Sequence, residues 1–215
     1  ACQIVNSYLS EMSAIAIQKG GTIDKFIGDA ILVFFGDPET RGETNDALAC
    51  IDMAITMQER IKRMQPHWEQ LGAYKGVHVR MGITSGYCTV GNFGSNQRLD
   101  YTVLGSPVNL AARLQGLASP GKILVSESTE KLIKDHVRLR PFSEIKPKGF
   151  SRTVQTFEIN GFFKRGPQEQ GKSIIRTGER VEVNIFDKKN IRAAILELKQ
   201  IQEEFESQLA DSKNK

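Results

Sequence analysis

A mixed α/β fold is predicted for this chain by three observations. Runs with period-two hydrophobicity alternate with segments whose apolar residues fall three and four apart. Glycine-bearing turns, Gly28-Asp29 and Ser85-Gly86, divide the strand-like runs into pairs, and one long helical stretch joins the first pair to the second. Such alternation places the strands in a mixed sheet with helices covering one face.

The elements follow in order. Ile4, Val5, Tyr8, Leu9, Met12, Ile15 and Ala16 stand at helical spacing, and the glycines of Lys19-Gly20-Gly21 stop that helix. Residues 22–27 and 30–35 read as strands around a two-residue hairpin turn at Gly28-Asp29. Residues 43–64 place Ala47, Cys50, Ile51, Ala54, Met57 and Ile61 on one buried helix face, and Pro66 is expected to limit its extension. A second hairpin is expected from residues 77–84 and 87–93 around Ser85-Gly86; residues 101–104 continue the sheet, and 107–117 are helical. Pro120-Gly121 turns the chain into a strand at 122–126, followed by a short helix at 127–134 and strands at 137–145 and 154–162. The expected organisation is a domain over 1–162, a polar link over 163–172 and an extension over 173–215. The extension reads as strand-like at 173–186 and helical at 190–209, where the stripe Ile191, Ile195, Leu198, Ile201 and Phe205 needs a packing partner. The domain's own flank, a neighbouring subunit and an adjacent module all remain open.

Composition narrows the function. The 215 residues carry a net charge of +4 from 29 basic and 25 acidic side chains, with no basic block of the kind that tracks nucleic acid. Phosphate-sized anions suit this balance. Cys2, Cys50 and Cys88 are odd in number and lack metal-ligand spacing, which points to a reducing, cytosolic compartment. No run approaches eighteen apolar residues, so membrane contact is expected only through domains outside this chain. His67, His78 and His136 have neither metal nor triad spacing, and Gly86, Gly91 and Gly94 do not form a phosphate loop.

Two segments carry the chemistry. Lys25-Phe26-Ile27-Gly28-Asp29 presents a cation and a carboxylate at a hairpin turn, a carboxylate suited either to a metal or simply to the turn. Tyr101-Thr102-Val103-Leu104-Gly105-Ser106-Pro107-Val108-Asn109-Leu110-Ala111-Ala112-Arg113 runs from a strand into a helix with an amide and a guanidinium four apart, on one face. That inventory suits a nucleoside triphosphate. With Arg80-Met81-Gly82-Ile83-Thr84-Ser85-Gly86 between them, these segments resemble the catalytic domain of the class III adenylyl and guanylyl cyclases from about residue 4 to 162.

The resemblance implies a ferredoxin-like βαββαβ core with added strands and helices, and sites shared across a head-to-tail homodimer. It implies that Lys25 and Thr102 choose the base, in the subclass where threonine replaces the adenine-specifying aspartate. An ammonium donor and a hydroxyl acceptor suit adenine, whose N1 accepts and whose N6 donates. It further implies that Asn109 orients the ribose, that Arg113 neutralises charge on the α-phosphate, and that Arg80 and Lys148 hold the polyphosphate. Lys146 rivals Lys148 in Lys146-Pro147-Lys148-Gly149-Phe150. Asp29 matches one of two family aspartates that hold two Mg²⁺ or Mn²⁺ ions per site.

The other family aspartate lies on a strand before the first helix, with a phosphate-binding loop after it; neither stands in the sequence given, which holds only one of the two metal aspartates. As written, the chain is therefore expected to leave a sheet edge open and to make little product. The activity expected of the parent is conversion of ATP to 3′,5′-cyclic AMP and pyrophosphate. The alternative is a catalytically incomplete cyclase-like module that binds nucleotide or dimerises.

Overall fold

The computed structural model describes residues 2–95, 98–146, 152–163, 174–177 and 182–185, together with 192, 195, 196, 198, 199, 201–203 and 206. Packing divides the chain into two units, Ala1–Phe162 and Phe163–Lys215. In the first, helix α1 (Cys2–Gln18) leads into the antiparallel hairpin β1 (Thr22–Ile27) and β2 (Ala30–Phe34). Glycine ends α1 as expected: Gly20 takes φ +83°, while Gly20 N–H bonds Ile17 O at 3.0 Å and Gly21 N–H bonds Ala16 O at 2.8 Å.

Helix α2 (Glu43–Gln70) runs through Pro66 instead of stopping before it. The proline costs about 3 kcal/mol in a helix interior, and the extra turn offsets this by carrying Trp68 into the core. Trp68 is fully buried and its Nε1–H donates to Ser7 Oγ at 2.8 Å. Burying a large apolar side chain yields about 1.5–3 kcal/mol, and the hydrogen bond adds about 1. Gln65 secures the same turn, donating to Val77 O at 2.7 Å and accepting from Val77 N–H at 2.9 Å.

The expected second hairpin does not form. Strand β3 (Met81–Ile83) is short and pairs in parallel with β6 (Ile123–Ser126), whereas β4 (Thr89–Ser95) pairs antiparallel with β5 (Arg98–Leu104). Helix α3 (Ser106–Leu117) packs tightly on β3. A Cβ on Gly82 would lie 2.2 Å from Ala111 O and 2.3 Å from Gln115 N, so glycine is what admits the helix backbone. Helix α4 (Glu127–Ile133) and strands β7 (Val137–Ile145) and β8 (Val154–Phe162) complete a four-stranded sheet, β3-β6-β8-β7. Thr84 and Ser85 pin the loop after β3 to α4's start through Ser126 Oγ at 2.7 Å and Thr129 Oγ1 at 3.1 Å.

Helices cover both faces of β6 rather than one. Successive strand residues point oppositely, so Ile123 and Val125 join a core with α2 and α4 residues, while Leu124 packs with Leu110 and Leu114 of α3. Among the described residues β2 pairs only with β1 and β3 only with β6, so each leaves one edge unpaired. In the second unit the strand-like stretch is a hairpin of β9 (Ile174–Thr177) and β10 (Glu182–Ile185), and the described residues from 192 to 206 are helical. Ile195 and Ile201 of the apolar stripe are exposed; Ile191 and Phe205, and the link apart from Phe163, lie outside the described residues.

Candidate active site

The hairpin β1–β2 lies against β5, and a bulge in β1 shapes what passes between them. Ile23 pairs with Val33 and Lys25 with Leu32, which leaves Asp24 as the extra residue of β1. Its side chain is 1% exposed. Asp24 Oδ2 accepts the hydroxyl of Thr102 at 2.9 Å, and Oδ1 lies 3.8 Å from Lys25 Nζ. Thr102 is itself buried at 5% exposure, whereas the Lys25 side chain is 46% exposed. Asp24 thus brings together Lys25 and Thr102, which are 77 positions apart in sequence.

Helix α3 starts after Gly105 with Pro107 in its first turn, where a missing N–H costs nothing. Leu110 and Leu114 bury one side of it, leaving Asn109 and Arg113 exposed on the other. Arg113, Gly116 and Leu117 line an open cleft of about 480 Å³ with Ile145 and Lys146 at the end of β7. Arg80 Nη1 donates to Gly116 O at 3.3 Å, so a third cation is tied to the rim of this cleft. Lys146 therefore stands beside Arg113; its rival Lys148 lies outside the described residues.

Asp29 sits exposed at the tip of the β1–β2 turn, after Gly28 with φ +65°. Its charge is felt by α1. The Tyr8 phenol is pushed up to about 12, first by burial and second by the charge of Asp29. Among the described residues no three His, Cys, Asp or Glu side chains gather as a metal site. One exposed carboxylate fits an Mg²⁺ ion that draws its other ligands from water and substrate phosphates, the usual habit of that ion.

Asp24 is the residue that sequence reasoning missed. Next to a lysine in a strand it reads as surface charge, and its one signal is that a carboxylate falls where β1 should alternate between Ile23 and Lys25. The Cys2, Cys50 and Cys88 thiols are free. Among the described residues no helix is long and apolar enough to cross a membrane.

Known proteins place these features in a family. A model described as the adenylate and guanylate cyclase catalytic domain matches residues 1–161. The adenylyl cyclase CyaB from P. aeruginosa is 49% identical with a TM-score of 0.71, over 74% of this chain and 81% of that one. A guanylyl cyclase crystal structure gives the same TM-score of 0.71 at 31% identity, over 77% of this chain and 83% of that one. An adenylate cyclase from Anabaena cylindrica is 32% identical over 165 residues, 73% of this chain and 32% of its own length. The chain spans about a quarter to a third of the length of such curated relatives. An adenylyl and a guanylyl cyclase thus superimpose equally well, so the fold does not distinguish the base. The matched model covers most of the chain and the fold agrees with the solved cyclase domains: the chain belongs to the class III nucleotide cyclases, in their catalytic domain.

Proposed function

We propose that this domain is an adenylyl cyclase, converting ATP to 3′,5′-cyclic AMP and pyrophosphate at a head-to-tail homodimer interface. The observation that carries the reading is the assembly of Lys25 and Thr102 around Asp24. An ammonium donates to adenine N1 and a hydroxyl oxygen accepts from N6, whereas guanine presents the reverse pair. Asn109 orients the ribose so that its 3′-oxygen faces the α-phosphorus. Arg113 neutralises the charge that builds as the new O–P bond forms and the bond to pyrophosphate breaks, a role in which a preorganised cation contributes much of the rate. Arg80, with Lys146 or Lys148, holds the polyphosphate. The 3′-hydroxyl proton leaves to solvent or to a substrate phosphate, since no general base stands out among the described residues.

Asp29 would hold magnesium or manganese, and the reading calls for two ions per site, which lower the pKa of the 3′-hydroxyl and neutralise the triphosphate when bound. Asp29 and Arg80 of one protomer would serve the site built from Lys25, Thr102, Asn109, Arg113 and Lys148 of its partner. The dimer is supported by the exposed apolar side chains of the two hairpins, Phe26 and Ile27 on β1 and Leu99, Tyr101 and Leu104 on β5. Base exchange tests the proposal. In the full-length protein, Lys25→Glu combined with Thr102→Cys is expected to lower kcat/KM for ATP and raise it for GTP; an unchanged preference would sink the assignment.

A further inference from the structure

Two carboxylates with buried side chains, Glu158 and Asp24, are treated differently by the fold. Glu158 on β8, with a side chain 4% exposed, is paired on both oxygens, Oε1 with Lys122 at 3.2 Å and Oε2 with Arg140 at 3.2 Å. Asp24 is more deeply buried, yet its Oδ1 has no hydrogen-bond partner among the described residues. Such an orphan is rare in a folded protein and calls for a reason. Packing does not supply one, because an apolar residue at the bulge would avoid the desolvation cost altogether.

We propose that Asp24 is a positioning residue that sets the hydrogen-bond polarity of Thr102 and thereby the choice of adenine over guanine. The argument rests on Lys25 and Thr102 being the base-choosing pair. A threonine hydroxyl has one proton and two lone pairs, so alone it satisfies an amino group or a carbonyl equally well. Here the proton is committed, because ionised Asp24 is acceptor-only and its Oδ2 lies 2.9 Å from Thr102 Oγ1. That is the only hydrogen bond of the Thr102 hydroxyl among the described residues. Toward a base it can therefore only accept, which selects a 6-amino group and leaves a 6-oxo group facing a lone pair. Oδ1 completes the arrangement by drawing the Lys25 ammonium, 3.8 Å away, toward the neighbouring ring nitrogen. The carboxylate touches neither base nor phosphate; it sets the choice through Thr102, while its contact with Lys25 is one that an amide oxygen would keep.

Asp24→Asn is the informative change. The nearby ammonium holds the amide oxygen on the Lys25 side, which turns the NH₂ toward Thr102; the hydroxyl then accepts from Asn and donates outward. In the full-length protein, kcat/KM is measured with ATP, inosine triphosphate (6-oxo) and purine riboside triphosphate (no 6-substituent). D24N is expected to lower the ATP to inosine triphosphate ratio by roughly tenfold, about what one net hydrogen bond is worth, while purine riboside triphosphate changes little. In the background of Thr102→Val, D24N is expected to leave the ratio where T102V alone puts it. An equal loss on all three nucleotides, or an unchanged ratio, overturns the proposal. If D24N does not fold, Asp24→Ala takes its place: the hydroxyl is then free to rotate, and the ratio falls toward one without reversing. An unchanged ratio in D24A also overturns it. Failure of the underlying reading looks different, since T102V alone would then leave the ratio unchanged in the presence of an intact Asp24.

Discussion

The two ends of the candidate site are built on opposite principles. Around the base, Asp24 and Thr102 are buried and already hydrogen-bonded to each other, and only the Lys25 side chain reaches solvent. At the proposed phosphate end, Arg113 and Lys146 are exposed along an open cleft, while Arg80, which the shared-site reading gives to the partner's site, donates to one carbonyl at its rim. In the proposed reading the difference follows from what each end must recognise. Adenine and guanine differ in the direction of a few hydrogen bonds, so discrimination needs donors and acceptors whose directions are fixed before the ligand arrives. A triphosphate is recognised by charge, which works over a longer range and tolerates mobile side chains. Damage at the base end should therefore change preference, and damage at the phosphate end should change rate without changing preference.

The largest effect tests the phosphate end. In the full-length protein, Arg113→Ala is expected to reduce kcat on the order of a hundredfold or more, the usual cost of losing a donor aimed at transition-state charge, with the ATP to GTP ratio unchanged. Asp29→Ala should be as damaging. Mixing the two inactive variants should restore part of the activity, because a mixed dimer with shared sites has one site carrying both lesions and one carrying neither. If subunit exchange restores nothing, the sites are not shared between protomers.

A smaller effect tests how α3 is seated. Gly82→Ala puts a methyl group 2.2 Å from Ala111 O and 2.3 Å from Gln115 N, both backbone atoms that cannot swing aside. The helix must then lift off β3 at a cost of about 1–3 kcal/mol, seen as a Tm lowered by several degrees. Asn109 and Arg113 move with the helix while Asp24 and Thr102 do not. Turnover of ATP and GTP should thus fall together, and a selective loss of one nucleotide would show that the two ends are coupled.

Much of this arrangement was legible in the sequence because its signals are local. Gly20-Gly21 ends α1, Gly28-Asp29 turns the first hairpin, and the apolar spacing from Ala47 to Ile61 marks the buried face of α2. The errors came where a distant contact outweighed a local preference. Pro66 failed to end α2 because Trp68 finds Ser7 and the α1 core 61 positions away in sequence. Strands β3 and β4 did not pair because β3 takes the distant β6 as a parallel partner and β4 takes β5, pairings that no nearby spacing announces. The candidate site divides in the same way. Lys25, Asn109 and Arg113 stand in recognisable strings, whereas Asp24 acquires its role from a bulge and a partner on β5, neither of which can be read from its neighbours.

The central claim is that an assembled Lys25–Asp24–Thr102 group makes this family member an adenylyl cyclase, and product analysis tests it most directly. The full-length protein is supplied with equal concentrations of ATP and GTP and excess Mg²⁺ or Mn²⁺, and the cyclic nucleotides formed are separated and counted. The expected result is 3′,5′-cyclic AMP in at least tenfold excess over cyclic GMP. Comparable amounts of the two, or mainly cyclic GMP, would contradict the base assignment, and nucleotide binding with no cyclic product would contradict the claim of an enzyme.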